Sequence, residues 1–367
     1  MRIDAGSVSS IHLATTGSRL VLTSDFASFH AAMPMNRRIL LARRPEGLLA
    51  ESDFRLDEQP APVIQDGQAL LKTLYLGIDP TIRTWLSTAR SYLAPIEIGE
   101  VVRSAGVGRV VESRCERFAV GDLVTHLSGW QEYSVVTDNP LATSFPGSME
   151  PRHALGLLGS TGVAAYVGLL DMGRPQAGET VVVSAAAGGT GSIVGQLATV
   201  HGCRAVGIAG SDEKCRHVVE ELGFDACINY KSEGFREALK AACPKRIDIY
   251  FDNVGGWILN EALGRLNMGA RVVLCGAISV YNEAHKPPGP SNYLNLITVR
   301  GKMIGFNGMD HWGRHAQIAA DLQKWMREGK LKYHEHVFEG LEQAWKAVNA
   351  LFTGENRGKV LVRVAED

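Results

Sequence analysis

An excess of either charge is missing from this chain. Its 38 basic and 39 acidic residues leave a formal net charge of −1, which gives no broad cationic footprint for nucleic acid or an anionic membrane. Long apolar runs are missing too. No stretch reaches the roughly 18 residues that a membrane-spanning helix needs, and residues 1–34 show no apolar h-region of a secretory leader. Cysteine is sparse. The six thiols, Cys115, Cys203, Cys215, Cys227, Cys243 and Cys275, include no C-x-x-C pair, so they read as free thiols in a reducing, cytoplasmic setting rather than a disulfide framework. Also absent are a Cys/His ligand set for catalytic zinc and a G-x-S-x-G nucleophile turn; Cys115 and His126 stand in no ligand pattern. What remains is a hydrophobic content of 45% over 367 residues. That supplies about two cores, since one core seldom grows beyond roughly 250–300 residues.

The chain is organised around residues 181–198. Val181, Val182 and Val183 suit a parallel strand covered on both faces, and Ile193, Val194, Leu197 and Ala198 recur at helical spacing. Between them lies the turn Ala185-Ala186-x-Gly188-x-x-Gly191, with Gly195 beyond it. Small residues there clear a path to the unpaired N–H groups and positive dipole end of the helix, where a pyrophosphate binds. The next strand, 203–209, ends at Gly210-Ser211, where an NAD site carries an acid for the ribose hydroxyls. Ser211 and Lys214 offer a donor and a cation instead, which points to NADP.

Short β-like runs at 39–41, 69–76, 106–111, 122–125 and 130–136, punctuated by Pro, Gly and Asp, predict an antiparallel, barrel-like domain. A proline-bearing connection, 139–151, leads to a helical segment at 159–166. Strands at 181–183, 204–209, 226–230, 247–252 and 270–275, alternating with helical patterns, then predict a doubly wound parallel sheet. A helix at 316–327 precedes a last strand, 358–364, expected to return to the first domain. Residues 1–35 read as a disordered extension, or as the product of an upstream start codon with Met33 or Met35 as the natural one.

Several further segments carry a resemblance. Gly-Ser-Asp-Glu-Lys (210–214), Asn229-Tyr230-Lys231, Phe251 to Gly256, Cys275 to Ser279, Ile98 to Val101, Gly129 to Tyr133 and Gly354 to Lys359 make the chain, from Asn36 to Val364, similar to the zinc-independent medium-chain reductases. That group includes prostaglandin reductases and alkenal double-bond reductases. The resemblance implies an α/β fold with a Rossmann domain (154–331) and a GroES-like β-barrel substrate domain (36–153 with 332–367). It implies NADP(H) held by Gly188, Gly189, Thr190, Gly191, Ser211, Lys214, Tyr230, Asn253, Cys275, Gly276, Ala277, Ile278, Ser279, Val280, Tyr281, Phe306, Asn307, Gly308 and Asn356, with no metal. It also implies a homodimer joined through the edge of the nucleotide-binding sheet. Two departures leave the substrate open: Asp79-Pro80-Thr81-Ile82-Arg83 has Thr81 where the family has tyrosine, and Phe306-Asn307-Gly308 is smaller and more polar than expected.

The expected activity is NADPH-dependent reduction of the carbon–carbon double bond of α,β-unsaturated ketones or aldehydes. Hydride goes to the β carbon, and Tyr281 assists protonation of the enolate. Two other readings use the same cofactor positions: a quinone reductase, and an NADPH-binding sensor with little catalysis.

Overall fold

The computed structural model describes residues 34–283 and 288–367; the extension expected at residues 1–35, with its start at Met33 or Met35, lies almost wholly outside them. Strands β8 (Thr180–Ser184), β9 (Arg204–Ala209), β10 (Ala226–Asn229), β11 (Ile247–Asp252), β12 (Leu266–Leu274) and β13 (Lys302–Gly305) form one sheet in the order β10-β9-β8-β11-β12-β13. Every pairing in it is parallel. The order reverses between β8 and β11, and at such a switch point a crevice opens outside the carboxyl ends of the strands.

Alternation along β8 explains why this sheet is covered on both sides. Val181 and Val183 join one apolar cluster with Ile193, Val194 and Leu197 of the helix Gly189–Val200. Val182 faces the other way, with Ile258, Leu259 and Ala262 of the helix Gly256–Leu263. All three valines are completely buried, and each contributes roughly 1.5–3 kcal/mol relative to exposure. At Gly195 an added Cβ would lie 1.8 Å from the Phe224 ring, so glycine lets this helix approach its neighbour.

A second sheet is built mainly from the first third of the chain. Beside it, strands β1 (Met35–Leu41) and β2 (Phe54–Pro60) form a separate antiparallel pair. Strands β3 (Gln68–Ile78), β4 (Ala105–Ser113), β5 (Leu123–His126) and β7 (Thr143–Phe145) continue in sheet order after β14 (Glu335–Glu339) and β15 (Lys359–Arg363), while β6 (Tyr133–Thr137) pairs with β3. The return predicted for the last strand is observed: β15 runs antiparallel to β3, with Val362 opposite Leu76. Strands β2, β7, β13 and β14 were not anticipated; β7 falls inside the stretch read as a connection. Among the described residues no helix is long and apolar enough to cross a membrane.

Candidate active site

The turn after β8 is held by its own backbone. Gly188 N–H donates to Ala185 O at 2.9 Å, and Ala185 takes a left-handed φ of 51°. At Gly191 an added Cβ would fall 2.3 Å from Ala185 O, so any side chain there breaks the turn. The helix that follows starts at Gly189, leaving its first N–H groups directed out of the sheet. Asn253 closes the switch point from β11: its backbone N–H donates to Ser184 Oγ at 2.8 Å and its Nδ2 to Ser184 O at 2.7 Å.

Along this edge runs a cleft of about 670 Å³. At one end lie Gly210, Lys214, Tyr230 and Lys231; Gly188, Gly189, Thr190, Gly191, Asn356 and Gly358 line its middle. Asn253, Cys275, Gly276, Ile278, Ser279, Tyr281, Phe306, Asn307 and Gly308 form the inner end, joined by Thr81 and Trp85 of the short helix after β3, Tyr92 of the loop beyond it and His126 of β5. Ser211, Ala277 and Val280, expected among the cofactor residues, do not line the cleft. The Ser211 side chain instead accepts from Lys214 N–H at 3.2 Å and caps the next helix, and Ala277 presents its amide to Tyr281.

The Lys214 end is cationic. Burial first, then the nearby charges of Lys231 and Arg357, lower the Lys214 pKa from its usual value. No acid of the described residues forms an ion pair with Lys214, whereas Arg357 pairs with Glu213. An anion entering here relieves that repulsion.

At the inner end, Tyr281 follows the short turn Ile278–Val280. Its hydroxyl oxygen accepts the Ala277 N–H at 3.0 Å, which leaves the hydroxyl proton available for donation. Burial raises the phenol pKa and the Ala277 bond partly opposes this, so the group stays protonated at neutral pH. Burial pushes the Cys275 thiol up to about 12, which makes it a poor nucleophile. His126, whose Nε2 lies 2.9 Å from Ser134 Oγ, is depressed by burial to about 4 and is neutral.

Two features escaped the sequence reading. Lys359, almost fully buried, donates from Nζ to Ile78 O at 3.1 Å and pairs with Asp79. Thr161 lines the cleft beside Gly189, and its buried Oγ1 has no hydrogen-bond partner among the described residues. Asp79 and Lys359 are separated by 280 positions, so no local pattern signals their pairing.

Known proteins share this organisation. A family profile described as "N-terminal domain of oxidoreductase" matches residues 37–143, and one described as "Zinc-binding dehydrogenase" matches residues 189–323. The chain is 43% identical to NADPH-dependent curcumin reductase of Escherichia coli over 90% of its length and 98% of that protein. It belongs to the medium-chain dehydrogenase/reductase family. Prostaglandin reductase 1 of Bos taurus, another member, is 42% identical over 86% of this chain and 95% of its own. The crystal structure of CurA in complex with NADPH from Vibrio vulnificus superposes with a TM-score of 0.86 at 41% identity, over 90% of this chain and all of that one. The family is one of oxidoreductases with this two-part α/β fold. The zinc in the second profile's description does not fit the cleft, where among the described residues no three potential ligand side chains converge.

Proposed function

We propose that this protein is an NADPH-dependent reductase of the carbon–carbon double bond of α,β-unsaturated ketones and aldehydes. One observation carries the proposal. A single cleft joins a cationic nucleotide end to an inner end where the Tyr281 hydroxyl, fixed by the Ala277 amide, keeps its proton for donation. The names of the curcumin and prostaglandin reductases, and the NADPH held by CurA of Vibrio vulnificus, support it.

The residues fit the cofactor. The 188–191 turn and the orphaned Thr161 hydroxyl beside it would hold a pyrophosphate, and Lys214, Lys231 and Tyr230 would hold a 2′-phosphate. When bound, NADPH supplies the hydride. Tyr281 donates a hydrogen bond to the substrate carbonyl oxygen, where negative charge grows as the β carbon is reduced, and supports protonation of the resulting enolate. Apolar Ile78, Leu127 and Ile278 line the cleft around that charge and strengthen the bond by keeping the local dielectric low.

In the same reading, residues 154–331 bind the cofactor and 36–153 with 332–367 the substrate. Thr81 lines the cleft at the position where the family resemblance places a tyrosine, so we assign α,β-unsaturated ketones and aldehydes and do not extend the assignment to a prostaglandin. A cytoplasmic homodimer belongs to the same reading, supported by the free thiols and by the apolar Tyr293, Leu294 and Ile297 exposed in the segment that precedes the edge strand β13. NADPH oxidation across alkenals, alkenones and quinones tests the activity. Turnover of enones in preference to quinones is expected; turnover of quinones alone, or NADPH binding without any turnover, overturns it.

A further inference from the structure

A group of side chains outside the cleft has no part in this chemistry. His217 and Glu221 stand four residues apart in one π-type turn, His217–Glu221, and so share a helix face. His217 Nδ1 lies 3.2 Å from Glu221 Oε2, and His334 Nε2, from the segment entering β14, lies 3.9 Å from the same oxygen. The two imidazole rings are 4.9 Å apart at their centroids. Despite this crowding, His217 Nδ1 and His334 Nε2 are both buried without a well-aligned hydrogen bond among the described residues, the Glu221 contact of His217 being an ion-pair approach only. His217 is only 6% exposed. A buried polar atom left unpaired is costly, and two such nitrogens aimed at one carboxylate are accounted for by a shared ligand.

We propose that His217, Glu221 and His334 form a site for a zinc-type divalent ion, separate from the cleft. Two imidazoles and a carboxylate are borderline ligands suited to zinc, which takes them at roughly 2.0–2.2 Å. Tetrahedral binding at those lengths sets donors roughly 3.3–3.5 Å apart; the three candidate donor atoms all lie within 4.8 Å of one another. A small rotation of the half-exposed His334 closes the set, and the exposed side of Glu221 leaves a fourth position for water. Lys332 and Arg357 lie near His334 and oppose a cation, which sets a moderate affinity.

The site is a clip between elements distant in sequence. His217 is three residues beyond Lys214, and His334 O accepts Lys359 N–H at 3.0 Å next to Gly358, which itself bridges to Gly188. A bound ion therefore ties the helix after β9 to the strand pair that backs the phosphate turn. It contacts no reacting atom, so its effect is on stability.

Full-length protein stripped with a chelator is titrated calorimetrically with zinc chloride, and with cobalt(II) while the visible d–d absorption is followed. One zinc per chain, a raised thermal midpoint, a cobalt band of a four- or five-coordinate site and unchanged turnover after chelation are expected. His334→Lys and Glu221→Gln should each weaken zinc binding at least 10-fold and abolish both the band and the thermal shift, with NADPH binding as the check on folding. His217→Gln should act likewise. Because His334 and Glu221 are partly exposed, their variants decide the matter even if the buried His217 variant fails to fold. Zinc bound equally well by all variants, or no cobalt band in the unmodified protein, overturns the proposal.

Discussion

At the scale of single residues, three side chains separate the roles. Tyr281→Phe removes the proton held at the inner end of the cleft while leaving the ring. Turnover should fall about 10²-fold, at the low end for a positioned acid because water partly substitutes. NADPH affinity, measured by fluorescence, should stay the same; unaltered turnover on several enones would remove Tyr281 from the mechanism. Lys214→Ala should raise the Michaelis constant for NADPH roughly 10- to 150-fold, the loss of one charge-assisted contact of about 1.5–3 kcal/mol. Its constant for NADH should not change, and a parallel rise for both cofactors would place Lys214 away from the 2′-phosphate. His126 governs a pH effect. Its folded pKa, depressed by burial to about 4, lies below the unfolded value near 6.5. Unfolding therefore takes up a proton between those values, and stability is lost as pH falls from about 6.5 towards 4. Urea titrations over this range should show that slope reduced in His126→Gln; an unchanged slope would assign it to other groups such as His315, which burial also lowers.

At the scale of elements, legibility followed burial. Strands β8, β9 and β11, and β12 from Ala270 onward, were legible because a strand covered on both faces must be a continuous apolar run, as Val181 to Val183 and Ile249 to Phe251 show; the first four residues of β12, with Met268 exposed, were missed. The missed strands lie at edges or are very short. β2 carries Arg55, Asp57 and Glu58, β14 begins and ends with Glu335 and Glu339, and β13 exposes Lys302, so an open edge or face imposed no apolar pattern on them. The phosphate turn was legible since its chemistry is local, whereas the capping role of Ser211 was not. A serine before a helix serves equally as a cap and as a donor to phosphate. The turn also gives a sharp test. Gly191→Ala places Cβ against Ala185 O, so nucleotide binding should be lost and the thermal midpoint lowered. Normal NADPH binding by this variant would show that the turn is not the cofactor cradle.

At the scale of the whole molecule, the last strand is tied back to the first third of the chain where Lys359 of β15 reaches Ile78 and Asp79 at the end of β3, its neighbour in the same sheet. Lys359→Ala should cost about 1–3 kcal/mol in urea unfolding, the penalty of losing the Nζ bond to Ile78 O and of leaving Asp79 without its cation. A change below about 0.5 kcal/mol would mean that the Lys359 contacts add nothing to the β3–β15 pairing. Sequence reading placed Lys359 in the returning strand but ended the partner run at residue 76, short of Ile78 and Asp79, and could not join the two, because nothing at either position encodes a partner 280 residues away. That separation also bears on how the protein is made. A ribosome releases β3 long before β15, so the Tyr75–Ile78 edge of the nascent sheet stays open, a template for mispairing, until residues 359–363 emerge. Gly358 and Lys359 also wall the cleft. The cofactor can therefore stabilise the finished chain by mass action but gives no help to one still being translated, and the burden of protecting that edge falls on chaperones.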